Sequence, residues 1–242
     1  LDYGESVLMS LSLQNVGLID ALGVDADIST ASSFVNISDN TASFGDILSQ
    51  QSVTVTDEYA FDVANDVEDG ELISFEVAAT DGDSIWNSLF VIEAHAPIME
   101  YTGFSIDDAA GNGNGRLDPG ETVEITIDIA NTGSSEAYNV DIALACSGKG
   151  YVTVENGPVS VGDMPGGSTG SGVFTVSAAE NTPGGFNALF NIEINADMDI
   201  SGNGGFDIIV GQFAITNDGT GEDALGLICG ETKGGLDDFL FA

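Results

Sequence analysis

The sequence predicts an all-β protein made of two tandem antiparallel β-sandwiches. Two observations lead to this prediction: apolar and polar residues alternate along many short segments, and the second half of the chain repeats the first. The 32 glycines and 5 prolines in 242 residues are typical of a chain with many turns rather than long helices. With 43% hydrophobic residues, the chain has enough apolar material to form buried cores.

An internal repeat divides the chain into two modules. The string Leu-Asp-Tyr-Gly-Glu-Ser-Val at residues 1–7 returns as Leu-Asp-Pro-Gly-Glu-Thr-Val at residues 117–123, an offset of 116. The same offset brings Asn15 onto Asn131. Two copies of this length fit the usual size of a domain. We predict one sandwich at residues 1–96, a calcium-loop linker plus a second sandwich at residues 97–212, and a tail at residues 213–242.

The hydrophobic period within each copy is two, which is the period of a β-strand. Residues 123–129 read Val-Glu-Ile-Thr-Ile-Asp-Ile, so every second side chain is apolar and the others give an acidic outer face. Residues 7–13, Val-Leu-Met-Ser-Leu-Ser-Leu, form the matching strand of the first copy. Similar runs recur between Gly, Asn, Asp and Ser turns and predict about seven strands in each module.

The charge of the chain restricts its partners. It has 3 basic and 40 acidic residues, a net charge of −37. Binding to nucleic acid is excluded because phosphates require clustered Lys and Arg, and an anionic membrane surface is disfavoured for the same reason. Membrane insertion is not expected, since no apolar run approaches the roughly 20 residues needed to cross a bilayer. We expect an extracellular, secreted chain whose targeting signal has been removed and whose charge is screened by salt and calcium.

Several short strings resemble a known family of modules. They are Asp-Pro-Gly-Glu-Thr-Val at residues 118–123, Asn-Thr-Gly at residues 131–133 and Ala-Tyr-Asn-Val at residues 137–140. These resemble the tandem immunoglobulin-like modules of secreted bacterial surface proteins, including the cell-adhesion-related domain and the non-catalytic modules attached to gingipain-like peptidases of Bacteroidetes-type bacteria. The resemblance covers roughly residues 1–212. It implies an immunoglobulin-like fold and an extracellular spacer, adhesive or structural role without protease activity.

A calcium site is predicted at residues 107–121, Asp-Asp-Ala-Ala-Gly-Asn-Gly-Asn-Gly-Arg-Leu-Asp-Pro-Gly-Glu. Oxygen-bearing residues fall at alternate positions of the calcium-loop template, although Ala110 stands at its first position and a strand, not a helix, follows. The predicted ligands are Asp107, Asp108, Asn112, Asn114, the Arg116 carbonyl, Asp118 and Glu121. Calcium at this position would stiffen the linker between the modules. The alternative is a solvated Gly/Asn/Asp linker.

A second acidic turn matches the calcium template less well. Its candidate ligands are Asp197, Asp199, Ser201 and Asn203, but Ile208 stands where the closing Glu belongs. The first copy has a shorter counterpart at residues 81–83, Asp-Gly-Asp. We interpret both as hairpin turns, with calcium as the alternative.

No catalytic pattern is found in the sequence. The single histidine, His95, lies in a predicted linker with no Ser or Cys nucleophile pattern near it, so a triad is not predicted. Adjacent acidic pairs are expected from composition and do not indicate glycoside hydrolysis. Trp86, the only tryptophan, is a candidate for stacking on a surface glycan, with packing at the end of the sandwich as the alternative.

The tail repeats part of the calcium-loop region. Residues 215–232 echo residues 106–122, and residues 236–241, Leu-Asp-Asp-Phe-Leu-Phe, would then be a first strand seeking a partner sheet. The alternative is a frayed or locally packed tail. The sequence therefore predicts a non-catalytic extracellular structural or adhesive module. Its rivals are a subunit of a filament or surface layer that assembles head to tail, and a carbohydrate-binding accessory module of a secreted hydrolase.

Overall fold

The computed structural model describes residues 1–147 and 150–211. The strands of the first module are β1 (Ser6–Gln14), β2 (Ala21–Thr30), β3 (Val35–Asp39), β4 (Thr41–Ile47), β5 (Ser52–Val63), β6 (Leu72–Thr80) and β7 (Ile85–Glu93). The strands of the second module are β8 (Met99–Asp107), β9 (Thr122–Asn131), β10 (Ala137–Cys146), β11 (Val152–Val154), β12 (Val159–Met164), β13 (Thr169–Ala178), β14 (Phe186–Asn195) and β15 (Ser201–Val210). A short 3-10 helix lies at Asp197–Asp199. None of the described residues forms a helix long and apolar enough to span a membrane.

Each module is a sandwich of two antiparallel sheets. The first module has the sheets β1-β5-β3 and β4-β2-β6-β7, and the second has β11-β13-β9-β8 and β12-β10-β14-β15. The predicted all-β class is confirmed. The inward side chains of the two sheets meet in the core of each module, as the alternation of apolar residues requires. The second core is built on fully buried residues such as Ile125, Ile127 and Phe174.

The two modules repeat each other down to individual hydrogen bonds. The amide Nδ2 of Asn15 donates to the carbonyls of Ile19 (2.8 Å) and Ile47 (2.9 Å). Asn131 makes the same pair of bonds, to the carbonyls of Ser135 (2.8 Å) and Met164 (2.9 Å). The Asn-x-Gly signature is therefore a structural element that ties the first loop of each sandwich to a neighbouring strand end. The correspondence makes β1 the counterpart of β9, and β7 the counterpart of β15.

The predicted calcium loop does not link the modules. Residues 108–121 connect β8 to β9, and these strands pair with each other from Met99 opposite Asn131 to Asp107 opposite Glu124. The loop therefore closes a hairpin within the second module, and the prediction of a calcium-stiffened linker is wrong in its location. The sequence pattern does not reveal β8, because a bulge between Tyr101 and Gly103 interrupts its alternation. The predicted tail strand at residues 236–241 lies outside the described residues.

Candidate functional site: the module junction and the predicted calcium loop

The two modules meet end to end, and each end has a defined set of loops. We call residues 1–5, 64–71 and 94–96 the base of the first module, and residues 131–137, 165–168 and 197–200 the tip of the second module. A Cβ built on Gly133 would lie 2.2 Å from the Ala96 carbonyl oxygen and 2.6 Å from the Ile98 nitrogen. No side chain fits in that space, so glycine is required for the backbones to approach this closely.

Two hydrogen bonds join the N-terminal turn to the tip of the second module. The Ser135 hydroxyl donates to the Asp2 carboxylate, and the Tyr3 hydroxyl donates to the Glu136 carbonyl at 2.9 Å. Tyr3 is buried, and this burial, together with Tyr138 and Asp197, raises the pKa of its phenol. The phenol therefore remains protonated and able to donate at neutral pH.

A third contact brings Asp69, His95 and Ser134 together. The Ser134 hydroxyl donates to the Asp69 carboxylate and lies 2.8 Å from Nδ1 of His95. The Asp69 carboxylate also accepts from the Ala96 N–H at 2.9 Å. Burial alone would raise the pKa of Asp69, but these hydrogen bonds and the nearby His95 hold that pKa below its usual value of 3.8. The carboxylate is therefore charged at neutral pH and joins both modules.

This cluster has the residue types of a catalytic triad in the wrong order. In a triad the histidine lies between the serine and the carboxylate, so that it can accept the serine proton. In this cluster Ser134 lies between His95 and Asp69, and its hydroxyl donates a hydrogen bond to the Asp69 carboxylate. The serine oxygen is thus held as a bridge between the modules and is not activated as a nucleophile.

The second predicted metal site belongs to the junction. A Cβ on Gly4 of the base would lie 2.7 Å from the sulfur of Met198, and Ile200 packs against the cores of both modules. Asp197 accepts a hydrogen bond from the Asn139 amide at 2.7 Å. The turn contains two residues with positive φ, Met198 at 59° and Asp199 at 65°. This acidic turn is therefore a docking element, a role that the sequence prediction missed.

The remaining predicted ligands of this turn, Ser201 and Asn203, lie on β15. Both pair with β14, opposite Asn195 and Glu193 respectively. Their backbones are part of the regular sheet. The counterpart turn at residues 81–83 is a hairpin, in which the Asp81 carboxylate accepts from the N–H groups of Asp83 and Ser84.

The predicted calcium loop folds around the carboxylate of Asp118. The side-chain amides of Asn112 and Asn114 each donate to Oδ2 of Asp118 at 2.6 Å. Asp108 is buried, and its carboxylate accepts from the Gly115 N–H at 2.9 Å. Three of the seven predicted ligands thus meet at Asp118, and a fourth, Asp108, holds the backbone of the same loop. Their oxygen-rich chemistry is of the kind that calcium prefers.

Glu121 has a structural role that the sequence prediction did not assign. Its two carboxylate oxygens accept from the N–H groups of Asn112 (2.8 Å) and Asp118 (3.0 Å). Glu5 makes the matching bond to the Asp2 N–H at 3.0 Å. The Asp-x-Gly-Glu signature of the repeat is therefore a turn braced by its glutamate. This structural role explains why both copies have the Asp-x-Gly-Glu spacing, and the explanation does not require a metal ion.

The other predicted ligands lie at the edge of the loop. The Asp107 carboxylate accepts from the Ala109 N–H at 2.9 Å, and the Arg116 side chain is exposed. Within residues 1–147 and 150–211, no three His, Cys, Asp or Glu side chains form a group that could hold a metal ion. A calcium ion in this loop would therefore depend on amide and backbone oxygens as well as carboxylates.

Trp86 lies on β7, at the edge of its sheet. It pairs opposite Ala79 and is 46% exposed. Its counterpart in β15 is Gly202, where a Cβ would lie 2.3 Å from the Met99 carbonyl of β8. Glycan stacking by Trp86 remains a prediction.

The sequence prediction missed the residues that join the modules. Nothing in the pattern around Asp2, Tyr3, Asp69, Ser134 and Ser135 distinguishes them from ordinary turn residues. One signal was present in the repeat, where the tip residues Leu18 and Ile19 of the first copy become Ser134 and Ser135 in the second.

Comparisons with known proteins leave the family open. No protein-family model and no curated protein matches the chain. Among solved structures, it is similar to a red sea bream transglutaminase at 12% identity and a TM-score of 0.35, covering 87% of this chain and 30% of that one. It is also similar to E. coli alpha-2-macroglobulin in its native conformation at 12% identity and a TM-score of 0.36, covering 88% and 16%. The chain thus spans less than a third of either protein, and these likenesses carry no argument about function.

Proposed function

We propose that this chain is a non-catalytic structural or adhesive unit of the cell exterior, in which two sandwiches are held at a fixed angle by direct contact. The observation that carries the proposal is the junction, where Tyr3 and Asp69 are hydrogen-bonded to the tip and Gly133 lies against the backbone of Ala96. An interface that combines hydrogen bonds with apolar packing restricts domain motion more than a flexible linker does. The net charge of −37 fits an exterior where salt and divalent cations screen repulsion.

The geometry gives no support for a hydrolase. The cluster at His95 uses its serine as a hydrogen-bond bridge, and the residue order is not that of a triad. The described residues that carry carboxylates are used in turns, in the junction or on solvated faces. A structural role is therefore the function that these contacts support best.

Small-angle X-ray scattering tests the fixed angle. We expect a single compact conformation to fit the profile of the native chain. The double variant Ser134→Ala/Ser135→Ala removes the two hydroxyl bridges to Asp69 and Asp2. We therefore expect its scattering profile to require an ensemble of conformations with different angles between the modules. The control is Ser171→Ala on β13, within the second module. A native profile that requires many inter-module angles would contradict the proposal.

We also propose that the loop at residues 108–118 binds calcium weakly. Asp108, Asp118 and the amide oxygens of Asn112 and Asn114 would hold the ion, once rotation of each amide presents its oxygen in place of its nitrogen. The ion would supply positive charge that offsets the crowded acids of the loop. Calcium affinity falls when a site has few carboxylates and a flexible backbone. This loop has both features, so we expect a Kd of about 0.1–1 mM, as in extracellular modules.

Isothermal titration calorimetry with calcium tests this site. Asp118→Asn should abolish the binding heat, because Asp118 lies at the centre of the loop. Asp83→Asn, in the hairpin turn of the first module, removes the same charge and should leave binding unchanged. Equal binding by both variants would show that the acidic surface attracts calcium without a site.

A further inference from the structure

The chain has four Asn-Gly pairs, and two of them lie in the predicted calcium loop. The asparagines of these pairs are Asn112, Asn114, Asn156 and Asn203. An asparagine before glycine can modify itself, because glycine has no side chain to hinder attack of its backbone nitrogen on Cγ of the neighbouring amide. The contacts around each asparagine determine where the fold allows this reaction.

The sheets restrain two of the four asparagines. Asn203 lies on β15 opposite Glu193 of β14, and ring closure requires a backbone rotation that this strand pairing opposes. The amide of Asn156 is held at both ends by β13, because its Nδ2 donates to the Val173 carbonyl at 3.1 Å and its Oδ1 accepts from the Thr175 N–H at 2.8 Å. Neither asparagine can turn onto the next backbone nitrogen without breaking contacts of the fold.

The two asparagines of the loop differ in their surroundings. The Asn112 amide is held at both ends, since its Oδ1 accepts from the Asn114 N–H at 3.1 Å and its Nδ2 donates to Asp118. Asn114 also donates to Asp118, but the nitrogen that would attack it has a further partner. The Gly115 N–H donates to Oδ2 of Asp108 at 2.9 Å, and Asp108 is only 6% exposed. A carboxylate within hydrogen-bond reach of the proton to be removed has the geometry of a general base.

We propose that Asn114 cyclises onto the backbone nitrogen of Gly115 in the folded protein. The bond from this nitrogen to Cγ of Asn114 forms while the N–H proton passes to Asp108. The bond from Cγ to Nδ2 breaks, and Nδ2 takes up a proton from water and leaves as ammonia. Water then opens the succinimide ring, giving aspartate by cleavage at Cγ or isoaspartate by cleavage at the main-chain carbonyl carbon. Asp108 returns its proton to solvent, so the net reaction is hydrolysis of the amide.

The product needs a cation beside Asp118. The Nδ2 of Asn114 lies 2.6 Å from Oδ2 of Asp118, so replacing this nitrogen by oxygen removes a hydrogen-bond donor and brings two negative charges together. A calcium ion between the carboxylates relieves that repulsion, and calcium affinity rises with the charge of the ligands. The reaction therefore converts a loop closed by its own hydrogen bonds into a stronger calcium site. This consequence rests on the proposed calcium binding, whereas the cyclisation does not.

Peptide mapping by mass spectrometry, during incubation of the full chain with chelator at neutral pH, tests the proposal. Asn112 is the matched control, because both asparagines lie in the string Gly-Asn-Gly. In the folded chain, Asn114 should convert at least about tenfold faster than Asn112, since a positioned base contributes a factor of this size or more. In guanidinium chloride the two rates should become equal. Equal rates in the folded chain, or a slower Asn114, would overturn the proposal.

Removal of the base is a second test of the same reaction. Asp108→Asn should slow Asn114 to the rate of Asn112. Asp107→Asn removes the same charge from an exposed neighbour and should leave both rates unchanged. If Asn114 stays fast in Asp108→Asn, the assignment of the base is wrong. If Asp108→Asn unfolds the loop, both asparagines will convert at their rates in guanidinium chloride, and the comparison within the native chain then decides.

Calorimetry with calcium tests the consequence separately. Asn114→Asp, which is the aspartate product, should bind calcium about tenfold more tightly than the native chain, because it adds a charged ligand. The control is Asn87→Asp on β7, which adds the same charge at an exposed position and should leave the affinity unchanged. Equal affinities of the two variants would overturn the conversion into a stronger site. Conversion of Asn114 in a chain that binds no calcium would contradict the proposed calcium site and support the modification.

Discussion

The loop at residues 131–137 in the tip of the second module and its counterpart at residues 15–21, the tip of the first module, have the same backbone network and different side-chain chemistry. Asn15 and Asn131 make equivalent hydrogen bonds to the loops around them. The residues that follow are exposed and apolar at the first tip, Leu18 and Ile19, and are hydroxyl groups at the second, Ser134 and Ser135, that bind Asp69 and Asp2. The repeat therefore preserves the loop geometry, while the side chains determine what each tip contacts.

The largest expected effect comes from glycine at equivalent places in the two tips. Gly133→Ala would place a Cβ 2.2 Å from the Ala96 carbonyl, whereas Gly17→Ala meets only the Asn15 side chain at 3.1 Å. We expect Gly133→Ala to weaken the docking of the modules by about 2 kcal/mol, a typical cost of overpacking. Gly17→Ala should have little effect. Scattering profiles of both variants provide the measurement, and equal profiles would contradict the close approach of the backbones at the junction.

The next effect is a dependence of docking on acid pH. The pKa of the Asp69 carboxyl is lowered in the folded protein. Its contribution to docking is therefore present above the usual pKa of 3.8 and is lost as the pH falls through the lower, folded-state pKa. We expect inter-module docking, followed by scattering, to loosen at pH values below about 4. Asp69→Asn should remove much of this dependence, while Glu68→Gln, one residue away and exposed, should retain it. An unchanged pH profile in Asp69→Asn would show that this carboxylate does not control docking.

The smallest effect distinguishes the cores of the two modules. In the first module, burial and the charges of Asp27 and Asp39 raise the pKa of Tyr59 to about 12, and its hydroxyl donates to the Ala26 carbonyl at 3.0 Å. Because the pKa of Tyr59 is raised in the folded protein, the stability that its protonated phenol contributes is complete below the usual pKa of 10.0. That stability is lost as the pH rises toward 12. Chemical denaturation should show the first module weakening in that range.

The Tyr59→Phe variant provides the control for this alkaline effect. It should cost about 1 kcal/mol of unfolding free energy at neutral pH, the usual value of one hydrogen bond. It should also flatten the decline above pH 10.0. If the native protein and the variant declined equally, other groups would be responsible for the alkaline loss.

The sequence predicted the sandwiches well because their signal is local. Alternation at residues 123–129 and the repeat of Asp-x-Gly-Glu can be read without knowing any contact. The prediction failed at β8, where the bulge near Gly103 breaks the alternation, and so it placed the calcium loop between the modules. The junction could not be predicted from pattern, because Asp2 and Ser135, or Asp69 and Ser134, come together only after both modules have folded.

Glu121 shows a second limit of reading a motif by spacing. Its position fits the closing ligand of a calcium loop, yet the equivalent glutamate of the first copy, Glu5, accepts from the Asp2 N–H just as Glu121 accepts from the Asp118 N–H. The spacing therefore had two physical explanations. Only the comparison of the two copies in three dimensions separates them.

Direct contact at the junction, and not calcium, is what we propose fixes the angle between the modules. Residual dipolar couplings of backbone amides, measured separately for residues 1–96 and 97–211, test this most directly. With calcium and with chelator alike, one alignment tensor should describe both modules in the orientation that the junction contacts impose. Two distinct tensors, or a common tensor that appears only when calcium is added, would contradict the proposal.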